Sequence, residues 1–175
     1  MLLERRATSF QADGNRIGGY AAVYNAPSNP LRISGLNGGK AFTERVAPGA
    51  FDESLDASNV QLLVQHDPSR LIADTRSRLM QLRSDDKGLA FDVTLPDTSL
   101  ARDTRALVEA GVLREMSFGF YVRSDSWKSG TRTLEQVDLR EVSIVSAGAY
   151  SQTSAEARTL QRVSAALRLR LRTLP

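Results

Sequence analysis

Residues 114–123 read Arg114-Glu115-Met116-Ser117-Phe118-Gly119-Phe120-Tyr121-Val122-Arg123. Met116, Phe118, Phe120 and Val122 occupy every second position. A strand sends alternate side chains to opposite faces, so the spacing predicts a strand whose large apolar residues enter a core. Glu115, Ser117, Gly119 and Tyr121 share the other face. Ser117 is expected to face away from the core, beside a glycine whose missing side chain leaves room for a substrate backbone. A similar stretch follows at residues 139–146. There Val142 and Ile144 face one way, and Glu141, Ser143 and Val145 face the other. Glu141 is an acid in a strand otherwise built for burial, and such a carboxylate needs a partner.

Working outward, strand-like runs fill most of the first 150 residues: 17–24, 42–46, 60–66, 79–83, 88–95 and 131–137 join the two above. Asp85-Asp86-Lys87-Gly88 makes a hairpin turn between two of them. Residues 25–40 are rich in Gly, Asn, Ser and Pro and read as a long loop of the kind that often carries function. Residues 48–55 suggest a short helix starting near Pro48, with acids in its first turns. A longer helix interrupts the β region: Asp97 or Thr98 caps residues 99–110, and Gly111 ends it. Short strands around one internal helix predict a mainly-β (α+β) fold, a barrel or sandwich rather than a parallel α/β sheet.

The last segment differs. Leu160, Val163, Leu167, Leu171 and Leu174 follow helical spacing. Residues 167–172 also alternate with period two, but the segment's length and Ala165-Ala166 favour helix. The chain thus divides into a β domain, residues 1–153, and a basic amphipathic helical tail, residues 154–175.

Composition narrows the function. At 41% hydrophobic and 25% charged, the chain is ordinary for a soluble globular domain. It has no cysteine, which excludes disulfides, thiolate metal sites and cysteine nucleophiles. With one histidine, only carboxylates remain as metal ligands, so neither a metal nor a cofactor is expected. No run approaches the ~20 apolar residues of a membrane helix. The first residues, Met1-Leu2-Leu3-Glu4-Arg5-Arg6, lack the apolar stretch of a signal peptide, so a cytoplasmic location is expected. From residue 156 onward five arginines face Glu156 alone, so the tail is +4 and the first 155 residues sum to −1. A basic tail suits nucleic acid or an acidic partner, or is simply the wet face of a helix. A nucleic-acid-binding β-barrel is disfavoured by the neutral body and by only six Phe, four Tyr and one Trp. Single-strand binders stack bases on aromatic platforms inside a positive groove.

His66, the only histidine, ends the run Val60-Gln61-Leu62-Leu63-Val64-Gln65-His66-Asp67. A serine hydroxyl is a poor nucleophile until a base takes its proton. Histidine does that near neutral pH, and a carboxylate fixes its tautomer and stabilises the imidazolium. Ser117, His66 and Glu141 supply one group of each kind from three separate runs. Spacing alone leaves Ser143 and Ser146 open as nucleophiles, and leaves Glu141 open to a surface ion pair with an arginine.

Six stretches, in order, resemble the tailed-phage prohead protease family, capsid-maturation serine proteases similar in fold to herpesvirus assemblin. They are Gly19-Tyr20-Ala21-Ala22-Val23-Tyr24-Asn25, Arg45-Val46-Ala47-Pro48-Gly49-Ala50-Phe51, Val64-Gln65-His66-Asp67, Lys87-Gly88-Leu89 with Leu95-Pro96-Asp97-Thr98, Glu115-Met116-Ser117-Phe118-Gly119-Phe120, and Leu139-Arg140-Glu141-Val142-Ser143-Ile144-Val145. Together they span roughly residues 17 to 153. The resemblance implies an assemblin-like β-barrel with peripheral helices. It matches Ser117 to the nucleophile and His66 to the base. Glu141 matches the third member, where the herpesvirus relatives use a second histidine. The implied activity is that of a serine endopeptidase cutting the scaffolding part of a major capsid protein inside an immature capsid in the host cytoplasm. Self-cleavage and self-association come with it. Backbone N–H groups are the default oxyanion donors, with Arg140 a candidate by proximity. The competing expectation is a non-enzymatic scaffold or virion component on the same fold.

Overall fold

Two strands of 14 and 15 residues, β8 (Glu115–Lys128) and β9 (Thr131–Val145), form a long hairpin that carries most of the residues of interest. Its tip is a two-residue turn, Ser129 and Gly130, with φ of 49° and 77°. Two consecutive left-handed residues give the turn twist that matches a right-handed hairpin. The computed structural model describes residues 4–13 and 15–146, with side-chain surroundings from residue 15 onward. The helix expected within residues 154–175 lies outside the described residues.

The remaining elements, numbered with those two in chain order, are β1 (Glu4–Asp13), β2 (Arg16–Val23), β3 (Thr43–Val46), α1 (Asp52–Ala57), β4 (Gln61–Val64), β5 (Asp67–Asp74), β6 (Met80–Ser84), β7 (Gly88–Thr94) and α2 (Ser99–Glu109). The mainly-β expectation holds. The strands form one nine-stranded sheet in the order β5-β4-β9-β8-β1-β2-β7-β6, with β3 also pairing β9. Pairing is antiparallel except for β3 and β4, which run parallel to β9. The strand pairing does not close into a barrel: among the described residues no pairing joins β5 to β6, so the hydrogen-bond path is open. The sheet nonetheless curls over one core. Leu62, Val64 and Ile72 from one end of the path share a single buried cluster with Met80, Phe91 and Val93 from the other. Phe118 is central to it, edge-on to Phe51 at 5.4 Å and stacked on Phe120 at 5.2 Å.

Two local devices set up the site. The first is a β-bulge. Gly119 pairs with Glu141 but Phe120 pairs with Leu139, so Arg140 is the unpaired extra residue. A bulge resets strand parity. Leu139 and Val142 therefore both enter the core, fully buried, while Glu141 is turned to the opposite face. The second is a gap along β9. β3 covers Thr131 to Leu134 and β4 covers Glu141 to Ile144, leaving the middle without a strand partner on that side. The α1 region fills it. Val137 N–H donates to Ala50 O, Ser54 Oγ donates to Val137 O at 2.5 Å, and Leu139 N–H donates to Ser54 Oγ at 2.9 Å. One buried hydroxyl thus satisfies two backbone groups that a strand would otherwise pair.

The two helices expected before residue 112 are present, as α1 and α2. Thr98, not Asp97, caps α2, its side chain accepting from Ala101 N, and Gly111 follows the helix with φ of 71°. The Asp85 turn also forms, its carboxylate accepting from the N–H groups of Lys87 and Gly88. In the loop at residues 25–40, Leu31 bridges to Phe42, and the two make a small separate apolar cluster.

Candidate active site

His66 is not in a strand, contrary to expectation. β4 ends at Val64, and Val64 pairs directly with Asp67 across a two-residue turn. Gln65 and His66 both have positive φ, 56° and 60°. This conformation is uncommon for residues with a Cβ, and it clusters at functional sites. Gln65 stitches the turn to β9: its N–H donates to Ile144 O at 3.0 Å, and its Nε2 donates to Ser146 Oγ at 3.1 Å. The parallel pairing of β4 with β9 brings this turn beside the Glu141 stretch.

There His66 Nδ1 lies 2.8 Å from Glu141 Oε1, with the two side chains 7% and 5% exposed. The other carboxylate oxygen is used as well: Ser143 Oγ–H donates to Glu141 Oε2 at 2.5 Å, from a fully buried position. Glu141 thus has a histidine and a serine among its partners and is buried rather than at the surface. Sequence reasoning left Ser143 open as a nucleophile; its hydroxyl proton is committed to the carboxylate instead. A neutral imidazole that donates from Nδ1 keeps the lone pair on Nε2, so the geometry suits a base acting at Nε2.

Ser117 lies on the same face. In the β8–β9 register Ser117 is directly opposite Ser143, and Gly119 is directly opposite Glu141. Cross-strand partners project to the same side of a sheet, so Ser117, Gly119, Glu141 and Ser143 form one patch. Ser117 does turn from the core, as expected, but it is 2% exposed rather than open to solvent. Among the described residues, no hydrogen bond joins Ser117 Oγ to His66. His66 and Glu141 are paired, and Ser117 shares the face of Glu141, directly opposite Ser143 and diagonal to the carboxylate.

Two expectations change. The space above Gly119 is not open for a substrate backbone, because the Glu141 carboxylate occupies it: a Cβ on Gly119 would lie 2.3 Å from Oε1. Arg140, a candidate oxyanion donor, is the bulged residue and pairs with Asp138 at 3.7 Å. Its side chain lines a cleft of about 480 Å³ with Glu53, Ser58, Arg123 and Asp138, a cleft whose lining does not include Ser117, His66 or Glu141. Sequence reasoning missed the role of Ser143. Its i, i+2 spacing from Glu141 on one strand face was the available signal. Among the described residues no cluster of carboxylates and histidine suited to a metal ion is present. No helix among them is long and apolar enough to cross a membrane.

Comparison with known proteins now bears on this geometry. The family model of the caudovirus prohead serine proteases matches residues 2–166, farther at both ends than the stretches quoted above. Among solved structures, the chain is similar to the bacteriophage T4 capsid assembly protease gp21, at a TM-score of 0.51 and 10% sequence identity, over 82% of this chain and 96% of that one. At that identity the likeness concerns the fold. No curated protein sequence matches.

Proposed function

The chain belongs to the caudovirus prohead serine protease family, and from that premise we propose how its residues carry out the cleavage. The protein is a serine endopeptidase of phage capsid maturation. In the proposed mechanism Ser117 is the nucleophile, His66 the general base and Glu141 the acid that orients it. The observation that carries this reading is the buried 2.8 Å contact of His66 Nδ1 with Glu141 Oε1, on the face that also presents Ser117.

Ser117 Oγ attacks the scissile carbonyl carbon as its proton passes to His66 Nε2. The imidazolium so formed is stabilised by the Glu141 carboxylate at Nδ1. The same proton then goes to the leaving amine as the C–N bond breaks, leaving an ester on Ser117. Water, deprotonated by His66, hydrolyses that ester and regenerates the serine. A scaffold protein without enzymatic function would have no use for a buried, paired histidine and carboxylate beside a serine, so catalysis is the better reading.

We take the substrate to be the scaffolding part of a major capsid protein, cut within the prohead in the host cytoplasm, with self-cleavage as a second event. The likeness to the assemblin barrel belongs to the same proposal: a sheet curled over one core approaches that shape without a closing strand pair. Residues 154–175 are assigned to partner binding or self-cleavage, outside the catalytic domain of residues 1–153. Co-expression of the protein with the phage's major capsid protein tests the substrate assignment. Mass spectrometry should find a shortened capsid protein with the wild type and a full-length one with Ser117→Ala. A full-length capsid protein in both would overturn it.

A further inference from the structure

We propose that Gly119 and Ser143 are positioning residues that together hold the acid against the base. The proposal rests on the reading of Glu141 as the third member of the triad. Gly119 pairs with Glu141 across β8 and β9. A Cβ built on it would stand 2.3 Å from Oε1, 2.8 Å from Cδ and 3.0 Å from Cγ of that side chain. The blocked atom, Oε1, is the one that meets His66 Nδ1. Gly119 does not have positive φ, so its backbone is one that any residue adopts. No turn or strain calls for glycine here. What an alanine would meet is the carboxylate.

Ser143 acts on the other oxygen. It sits two residues along β9, on the same face, and donates to Oε2. The carboxylate is therefore fixed at both ends: Oε2 by the Ser143 hydroxyl, and Oε1 in the space Gly119 leaves, where it reaches His66. Without the donor the carboxylate loses the restraint that Ser143 supplies at Oε2. Without the space it cannot reach the base. Neither residue touches the reacting atoms, so both act through Glu141.

The test uses two readouts. His66 is the only histidine, so imidazole NMR reports the Nδ1 proton directly and independently of activity. Reaction with a fluorophosphonate probe reports nucleophile activation. Gly119→Ala should abolish the hydrogen-bonded Nδ1 proton signal and slow probe reaction about 10³- to 10⁴-fold, as expected for loss of a triad acid. Ser143→Ala should retain a weakened signal and slow the reaction about 10- to 100-fold, the range for a lost hydrogen bond to a charged group. In a Glu141→Ala background, both substitutions should have no further effect, because the group they position is gone. The proposal is overturned if Gly119→Ala keeps the wild-type Nδ1 signal. It is overturned equally if either substitution slows the reaction as much in the Glu141→Ala background as in the wild type. If Glu141→Ala itself reacts at the wild-type rate, the triad reading fails, while the NMR signal still decides whether the two residues hold the carboxylate.

Discussion

Replacing Glu141 with glutamine tests the electrostatic part of the mechanism, and the surroundings of the carboxylate set the expected size. The wild-type carboxylate meets His66 Nδ1 with Oε1 and Ser143 Oγ–H with Oε2. Glutamine keeps the shape but has one oxygen and one amide N–H₂. A serine hydroxyl both donates and accepts. The amide oxygen can therefore stay on His66 while its N–H₂ donates to Ser143. The tautomer survives, and only the negative charge is lost. An ion pair with charge centres about 4 Å apart is worth about 4 kcal/mol at an effective dielectric constant near 20. Because the imidazolium exists only after Ser117 gives up its proton, that energy appears in the barrier. At 1.36 kcal/mol per factor of ten, Glu141→Gln should react about 10³-fold more slowly. The assay is the second-order rate of fluorophosphonate labelling, paired with imidazole NMR to show the Nδ1 proton retained. A rate within about tenfold of the wild type would refute the assignment of charge stabilisation to Glu141.

Ser117→Ala should lower turnover by roughly 10⁴ or more while leaving the fold intact, since Ser117 loses no hydrogen bond among the described residues; peptide cleavage and circular dichroism check the two halves. His66→Ala should match it, and the double variant should be no worse, in the same peptide-cleavage assay. Ser54→Ala removes the hydroxyl that serves Val137 O and Leu139 N–H in the gap along β9, and should cost about 1–3 kcal/mol of stability, read as a lower Tm by calorimetry. Deletion after Thr153 should preserve peptide cleavage by the remaining domain and impair incorporation into proheads; a truncated protein that is unfolded by circular dichroism would contradict that division.

Ser117 and Glu141 could be singled out because alternation assigns faces without knowing the fold, and His66 because it is the only histidine, although alternation misplaced it in a strand. Ser117 and Glu141 fell opposite Phe118 and Val142 from periodicity alone. β1 was not legible: Glu4-Arg5-Arg6-Ala7-Thr8-Ser9-Phe10-Gln11-Ala12-Asp13 has no apolar alternation, and it is a strand through pairing with β2 and β8. β5 opens on Asp67-Pro68-Ser69-Arg70, which carries no apolar alternation and a proline, and its apolar part is short. The end of β8, residues 124–128, is mostly polar and is held in the strand by register with residues 131–136, which did read as a strand. The bulge did leave a trace, since Leu139 and Val142, both core residues, are an odd number of positions apart, which strict alternation forbids. What no pattern could show is that Gly119 serves a carboxylate rather than a substrate. That depends on a cross-strand contact between residues 22 positions apart.

The central claim is that Ser117 is a nucleophile activated by His66. Its most direct test is labelling of the intact protein with a serine-directed fluorophosphonate, followed by peptide mapping of the adduct. One adduct should form, on Ser117, and it should be absent from His66→Ala. An adduct on Ser143 or Ser146, or labelling of Ser117 that persists unchanged without His66, would contradict the account.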